Sequence, residues 1–174
     1  MKTNTRKHLQ CSVISAVFAA LIAIMTAYIC HIPYAAGGGY IHFGDALIFL
    51  AASLLPAPYA VFAASVGAGL ADLLTAPVWA PFTIVIKAIL ALLITNRKEK
   101  IICKRNLLAL IPAAVVTIGG YYLAEGIIYG NFVAPVVSIW GNAVQAVGSA
   151  IIYIIVAFAL DKSGFKKRFN GLLH

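Results

Sequence analysis

The chain has 174 residues, of which 63% are hydrophobic and only 10% are charged, and its mean hydropathy is +0.97. A soluble domain carries about 25% charged residues, and a chain of this length cannot bury so much apolar surface in one aqueous core. The composition therefore excludes a soluble globular protein and predicts an all-α membrane protein.

The net charge of +8 could suggest a nucleic-acid partner, but the positions of the basic residues argue against one. Twelve of the thirteen lysines and arginines lie within residues 2–7, 97–105 and 162–168. Basic clusters beside apolar runs are typical of cytoplasmic loops, and no aromatic residues are interleaved with them as in nucleic-acid-binding surfaces. We predict no nucleic-acid partner, no cofactor and no metal site.

The apolar runs predict six transmembrane helices in a single domain of residues 1–174. The run 11–30 is longer than the hydrophobic part of a signal peptide, so it is expected to be a retained helix. Pro56 and Pro58 interrupt the next apolar region and predict a tight helical hairpin. The basic N-terminal tail and the 97–105 loop are both expected in the cytoplasm, so an even number of crossings separates them. The predicted helices are 11–30, 40–55, 59–75, 82–95, 107–127 and 139–160, with both termini cytoplasmic.

Six polar side chains inside these helices are predicted to lie in the outer half of the membrane. Charged groups at this depth are costly and mark functional sites by default. One interpretation is an ion pair between helices, for example Lys87 with Asp72. The other is a binding pocket, which we favour because the six residues lie at similar depth on five helices. They are Asp45, Asp72, Lys87, Glu125, Asn142 and Gln145.

Aromatic residues are also concentrated at the outer ends of the predicted helices. They could form an interfacial belt, or some of them could stack on a flat heterocyclic ligand. We assign Tyr40, Trp79 and Trp140 to the pocket, together with His42 as a hydrogen-bonding group. The glycine-rich loop 37–45 could be either a mobile lid over this pocket or a plain turn.

Helix 1 carries two adjacent rows of small residues. Ser12, Ala16 and Ala20 form one row, and the other consists of Ser15, Ala19, Ala23 and Ala27. Small residues at every fourth position allow another helix to approach closely. The rows could serve internal packing or the docking of a partner protein.

Taken together, these features resemble the S components of energy-coupling factor (ECF) transporters, which are substrate-binding membrane subunits. The segment 16–20 (AVFAA) is similar to the AxxxA motif of that family. The segments 39–46 (GYIHFGDA), 71–74 (ADLL) and 77–81 (PVWAP) are similar to its riboflavin-transporter-like branch. The resemblance covers essentially the whole chain.

The resemblance implies a high-affinity subunit of an ABC-type importer in a prokaryotic cell membrane. It implies an outward-facing vitamin pocket, and it implies that Ala16 and Ala20 dock on a transmembrane coupling subunit. Two cytoplasmic ATPases would drive transport, since the chain has no phosphate-binding loop of its own. Both signs of charge near aromatic residues favour a vitamin B6 form or hydroxymethylpyrimidine, with riboflavin as a further candidate.

Two other classes of protein fit the sequence less well. A self-sufficient secondary transporter or channel usually needs a polar route through the inner half and often has inverted repeats. An enzyme would need a nucleophile and base, or a metal constellation. The sequence predicts an almost entirely aliphatic inner half and no such constellation, so the chain is not expected to be an enzyme.

Overall fold

The computed structural model describes residues 2–29, 32–33 and 40–172. These residues are helical except for connecting turns and two strands of two residues each. The helices are α1 (Lys2–Ile24) with a π-helical extension (Met25–Ile29), α2 (Gly44–Leu54), α3 (Ala57–Thr75), α4 (Ala80–Leu93), α5 (Lys104–Tyr129), α6 (Ser138–Lys162) and α7 (Phe165–Leu172). Strands β1 (Ile32–Pro33) and β2 (Tyr40–Ile41) pair antiparallel, and short 3₁₀ helices occupy Pro77–Trp79 and Ala134–Val137.

Four helical stretches are long and apolar enough to cross a membrane, judged by length and composition. They are Thr5–Ile29, Ala57–Thr75, Lys104–Tyr129 and Ala134–Lys162. Two further apolar helical stretches, Gly44–Leu54 and Pro77–Leu93, are shorter. The prediction of an all-α membrane protein is confirmed, while six crossings and the side on which the termini lie stay predictions.

The observed boundaries of the first two interior helices differ from the predicted ones for local reasons. Helix α2 begins at Gly44 and not at 40, because Tyr40 and Ile41 pair with Pro33 and Ile32 in the β-hairpin. Helix α3 begins at Ala57, two residues earlier than predicted. Pro58 is tolerated there because the first turn of a helix leaves its backbone N–H groups unpaired in any case.

The bundle has two chemically different ends. The hairpin end contains β1, β2 and the two 3₁₀ helices, and the basic end contains the 94–103 loop and α7. Helix α2 runs between them and packs against α1, α3, α4 and α6. All of its residues except Leu47 are buried. A polar residue on this helix must therefore find its partners inside the bundle.

Candidate functional site

The first turn of α2 brings a carboxylate into the interior at the hairpin end, where it pairs with a lysine of α4. The Nζ atom of Lys87 lies 2.7 Å from Oδ1 of Asp45. The two side chains are 0% and 1% exposed. From the sequence, Asp72 was a candidate partner of Lys87, whereas the structure pairs Lys87 with Asp45. The two charges therefore neutralise each other inside the bundle.

Helix α6 joins this pair through Gln145. The amide nitrogen of Gln145 lies 3.4 Å from Oδ2 of Asp45, and its Oε1 accepts a hydrogen bond of 3.3 Å from the backbone N–H of His42. The ring nitrogen Nδ1 of His42 in turn accepts a 3.2 Å bond from the backbone N–H of Gly44. A side chain at Gly44 would collide with the hydroxyl of Thr26, so a glycine is needed where α2 passes α1. These contacts fix the β2–α2 junction against α6.

An aromatic wall lies on the other side of Lys87. The ammonium group is 5.1 Å from the centre of the Tyr121 ring, a cation–π distance. The hydroxyl of Tyr121 lies 3.1 Å from that of Thr83. Trp79 meets the same ring edge-to-face, with ring centres 6.2 Å apart, and is only 7% exposed. Trp79 is therefore part of the interior and not of a lipid-facing belt.

The two remaining acids are buried at the same end. Asp72, in the last turns of α3, interacts electrostatically with Tyr121. Glu125 on α5 forms a side-chain hydrogen bond with Ser138 at the start of α6. The structure therefore places Asp72 near Tyr121 and Glu125 beside Ser138.

Two buried polar atoms on α6 have no hydrogen-bond partner among the residues that the structure describes. They are Nδ2 of Asn142 and Oγ of Ser149, on side chains that are 7% and 0% exposed. Both residues lie on the α6 face that carries Gln145, because they are separated from it by three and four positions. Buried polar groups nearly always have a partner, so such atoms mark a place where a ligand or water would bind.

We call the group Asp45, Lys87, Gln145, His42, Tyr121, Trp79 and Asn142 the hairpin-end cluster. Three predicted site residues with described side chains lie outside this cluster. Asp72 and Glu125 are buried at the same end of the bundle, and Trp140 is 77% exposed. The side chain of Tyr40 and residues 37–39 of the glycine-rich loop lie outside the described residues, while residues 40–45 run from β2 to the start of α2. The sequence analysis did not assign Tyr121, Thr83, Ser138 or Ser149 to the site.

The two small-residue rows of α1 have different surroundings. Ser15 and Ala19 are buried against α3, and a side chain at Gly67 would lie 2.6 Å from the carbonyl oxygen of Ala19. Ala16 and Ala20, by contrast, are exposed. Internal packing therefore accounts for the second row only. A groove of about 440 Å³ lies beside Ala16; it is lined by Ser12, Ser15, Ala16, Pro58, Tyr59 and Phe62.

A second polar cluster at the basic end was missed by the sequence analysis. The carboxylate of Asp161 accepts bonds of 2.8 Å from the backbone N–H groups of both Ile101 and Ile102. Asn106 donates to the carbonyls of Thr95 and Ile101 at 3.0 Å. The hydroxyl of Tyr153 lies 2.9 Å from that of Ser53. The inner half is therefore less aliphatic than predicted, and these contacts hold the 94–103 loop.

A bundle of apolar helices with a buried and partly unsatisfied polar cluster near one end is typical of a membrane protein that binds a small solute. Residues 7–162 match the family described as ECF-type riboflavin transporter, S component. The chain belongs to this family, and it is therefore a substrate-binding subunit of a transporter and not an enzyme.

One relative adds to this match. A protein of Pyrococcus woesei described as an uncharacterized protein in gap 3′region is 35% identical over 139 residues. The similarity covers 79% of this chain and 93% of that protein.

Proposed function

We propose that the chain is the high-affinity subunit for a flat, water-soluble vitamin, with riboflavin as the first candidate, and that the vitamin binds in the hairpin-end cluster. The observation that carries this proposal is the pair of buried, unpartnered atoms, Asn142 Nδ2 and Ser149 Oγ, beside Gln145. A ring system with carbonyl oxygens and ring nitrogens offers the acceptors that these groups lack. Trp79 and Tyr121 supply aromatic surface for the same ring.

The charges in the cluster affect the choice of vitamin. A pocket with free charges of both signs would favour small polar vitamins, such as a vitamin B6 form or hydroxymethylpyrimidine. Because Lys87 and Asp45 lie 2.7 Å apart, most of their charge is satisfied internally. The hairpin-end cluster itself is then close to neutral, which favours the uncharged isoalloxazine ring of riboflavin. The description of the matched family points the same way.

The chemical difference between the two ends of the bundle supports one orientation in the membrane. The basic end carries the 94–103 loop and α7, whose lysines and arginines favour the cytoplasmic side. The hairpin end then faces outward, and the vitamin enters from outside a prokaryotic cell. Helices α2 and α4 complete six crossings, although they are short. The short length of α2 is tolerated because other helices enclose it, so it needs no match to the lipid thickness.

The exposed small-residue row of α1 is proposed as the surface that meets the transmembrane coupling subunit. Ala16 and Ala20 are exposed while Ala19 is buried, so this row has no internal partner. Small side chains allow another helix to come close. Two cytoplasmic ATPases would supply the energy. Replacing Ala16 by Phe should abolish co-purification with these subunits and leave vitamin binding intact. Ala159→Phe, at an exposed alanine of α6, is the matched control.

The vitamin is identified by a binding panel on the purified subunit in lipid nanodiscs. Riboflavin should raise the midpoint of thermal unfolding, and pyridoxal and hydroxymethylpyrimidine should raise it less. Trp79→Leu should remove the effect because that ring lies in the cluster. Trp140→Leu should keep it, because Trp140 is 77% exposed. If no member of the panel shifts the midpoint, the proposed substrate class is wrong.

A further inference from the structure

The C-terminal helix α7 is not used by the proposed site, and it has three chemically different faces. Phe169 and Lys166 are buried against the rest of the bundle. Phe165 and Leu172 are 37% and 69% exposed, and Lys167 and Arg168 are exposed as well. At 100° per residue, Phe165 and Leu172 form one flank of the helix, and Lys167 and Arg168 point away from the buried face.

The turn before α7 sets the direction of this helix. Gly164 has a φ of 67°, a left-handed conformation that favours glycine and ends α6 sharply. Its backbone N–H donates to the carbonyl of Asp161 at 3.1 Å. Beyond this turn α7 contacts both α6 and α2, and Phe169 joins the hydrophobic core. The helix therefore lies under the bundle at the basic end and does not continue the line of α6.

From this arrangement we propose that α7 is an interfacial helix that binds the headgroups of anionic lipids at the basic end of the bundle. A short helix with an apolar flank beside a cationic face is suited to the boundary between acyl chains and headgroups. Phe165 and Leu172 would enter the acyl region, while Lys167 and Arg168 would meet the phosphates. The 94–103 loop adds Lys98 and Lys100, and Glu99 is the only acid within it. This charge is complementary to an anionic leaflet.

The inference rests on the proposed orientation, in which the basic end faces the cytoplasm. It differs from the docking of α1, because it concerns a lipid and a different surface of the molecule. The buried side chain of Phe169 keeps α7 attached when the exposed cations are changed. Variants at Lys167 and Arg168 are therefore expected to fold.

The test compares lipids retained by the full chain after extraction from bilayers of equal parts phosphatidylglycerol and phosphatidylcholine. Native mass spectrometry gives the ratio of the two bound lipids. We expect the wild-type protein to prefer phosphatidylglycerol. The double variant Lys167→Gln/Arg168→Gln should lower that preference by about 25-fold, at roughly fivefold per cation. Lys98→Gln/Lys100→Gln removes the same charge from the loop and should lower it less. The proposal is overturned if both double variants lose the preference for phosphatidylglycerol equally, or if the wild-type protein shows no such preference.

A second measurement addresses the apolar flank. A Leu172→Trp variant in brominated phosphatidylglycerol should lose more tryptophan fluorescence than the wild-type protein, which contains only Trp79 and Trp140. No added quenching would place α7 away from the bilayer and contradict the inference. If Lys167→Gln/Arg168→Gln instead reduces co-purification with the ATPases and not lipid retention, the surface binds protein. Vitamin binding by the same variant should be unchanged; its absence in the wild type would contradict the proposed function alone.

Discussion

Lys87 Nζ and Asp45 Oδ1 lie 2.7 Å apart with both side chains almost completely buried, and this pair joins α4 to the central helix α2. Two charges inside a membrane protein are stable only when they are paired with each other and with further hydrogen bonds. Gln145 supplies such a bond to Asp45, and the Tyr121 ring faces the lysine. The pair is thus a structural part of the hairpin-end cluster.

The first prediction concerns the removal of one partner of this pair. Lys87→Met should lower the free energy of unfolding by about 3–5 kcal/mol, because it leaves a buried carboxylate without its counter-ion. The double variant Lys87→Met/Asp45→Leu should recover most of that loss, since no unpaired charge remains. Denaturation of both variants in the same detergent measures the difference. Equal instability of the single and double variants would contradict a coupled ion pair.

The second prediction concerns the close contact between α1 and α3. Gly67→Ala should destabilise the protein by about 1–3 kcal/mol, because the new Cβ would lie 2.6 Å from the carbonyl oxygen of Ala19 and force the helices apart. Gly119→Ala is the matched control: no atom lies within 4 Å of its added Cβ. That variant should be neutral or slightly more stable, since alanine favours the helix by about 0.5–1 kcal/mol. Similar losses in both variants would exclude tight α1–α3 packing.

The third prediction concerns the polar cluster at the basic end. Asp161→Ala removes the acceptor of two backbone N–H groups in the 94–103 loop and should cost about 1.5–3 kcal/mol of unfolding free energy. Glu99→Ala, an exposed acid in the same loop, should change stability by less than about 0.5 kcal/mol. Amide hydrogen exchange at Ile101 and Ile102 should be faster in the Asp161 variant, because their N–H groups lose the carboxylate. Unchanged exchange at both residues would contradict these hydrogen bonds.

The fourth prediction is a pH dependence caused by Lys166. Burial lowers the pKa of this lysine below its usual 10.5, and the nearby carboxylate of Asp161 opposes the shift only in part. Folding therefore disfavours the charged form. The resulting loss of stability is fully present below the lowered pKa and disappears as the pH rises toward 10.5.

The control for this titration is Lys166→Met, which has no charge at this position. The wild-type protein should become more stable relative to Lys166→Met as the pH rises from neutral to about 10.5. Unfolding of both proteins across this range gives the difference directly. A difference that is constant with pH would show that Lys166 is not desolvated.

The sequence predicted the positions of polar residues along the helices better than their directions around them. Asp45, Lys87, Asn142 and Gln145 are all buried at the expected end. Hydropathy and the basic loops fix depth, because both depend on position along the helix axis. They do not fix the direction in which a side chain points around the helix axis. For that reason Trp140 was expected inside and lies on the surface, and Lys87 was paired with the wrong acid.

One signal in the sequence could have extended the predicted site. Helix α6 carries polar residues at spacings of four, three, four and four, which place them on one face of a helix. They are Ser138, Asn142, Gln145, Ser149 and Tyr153, and all five are buried. The contacts of Asp161 with the 94–103 loop could not have been found in this way. They join residues about sixty positions apart, so only the tertiary structure brings them together.

The most direct test of the central claim is calorimetric titration of the purified subunit with riboflavin, comparing two substitutions one position apart on α6. Gln145→Leu removes the amide that joins the polar face of α6 to Asp45. Val144→Leu changes a partly exposed neighbour. We predict that the wild-type protein and Val144→Leu bind one riboflavin tightly and that Gln145→Leu loses at least about tenfold in affinity, which is 1.4 kcal/mol. Binding of equal strength in all three proteins would contradict a pocket in the hairpin-end cluster.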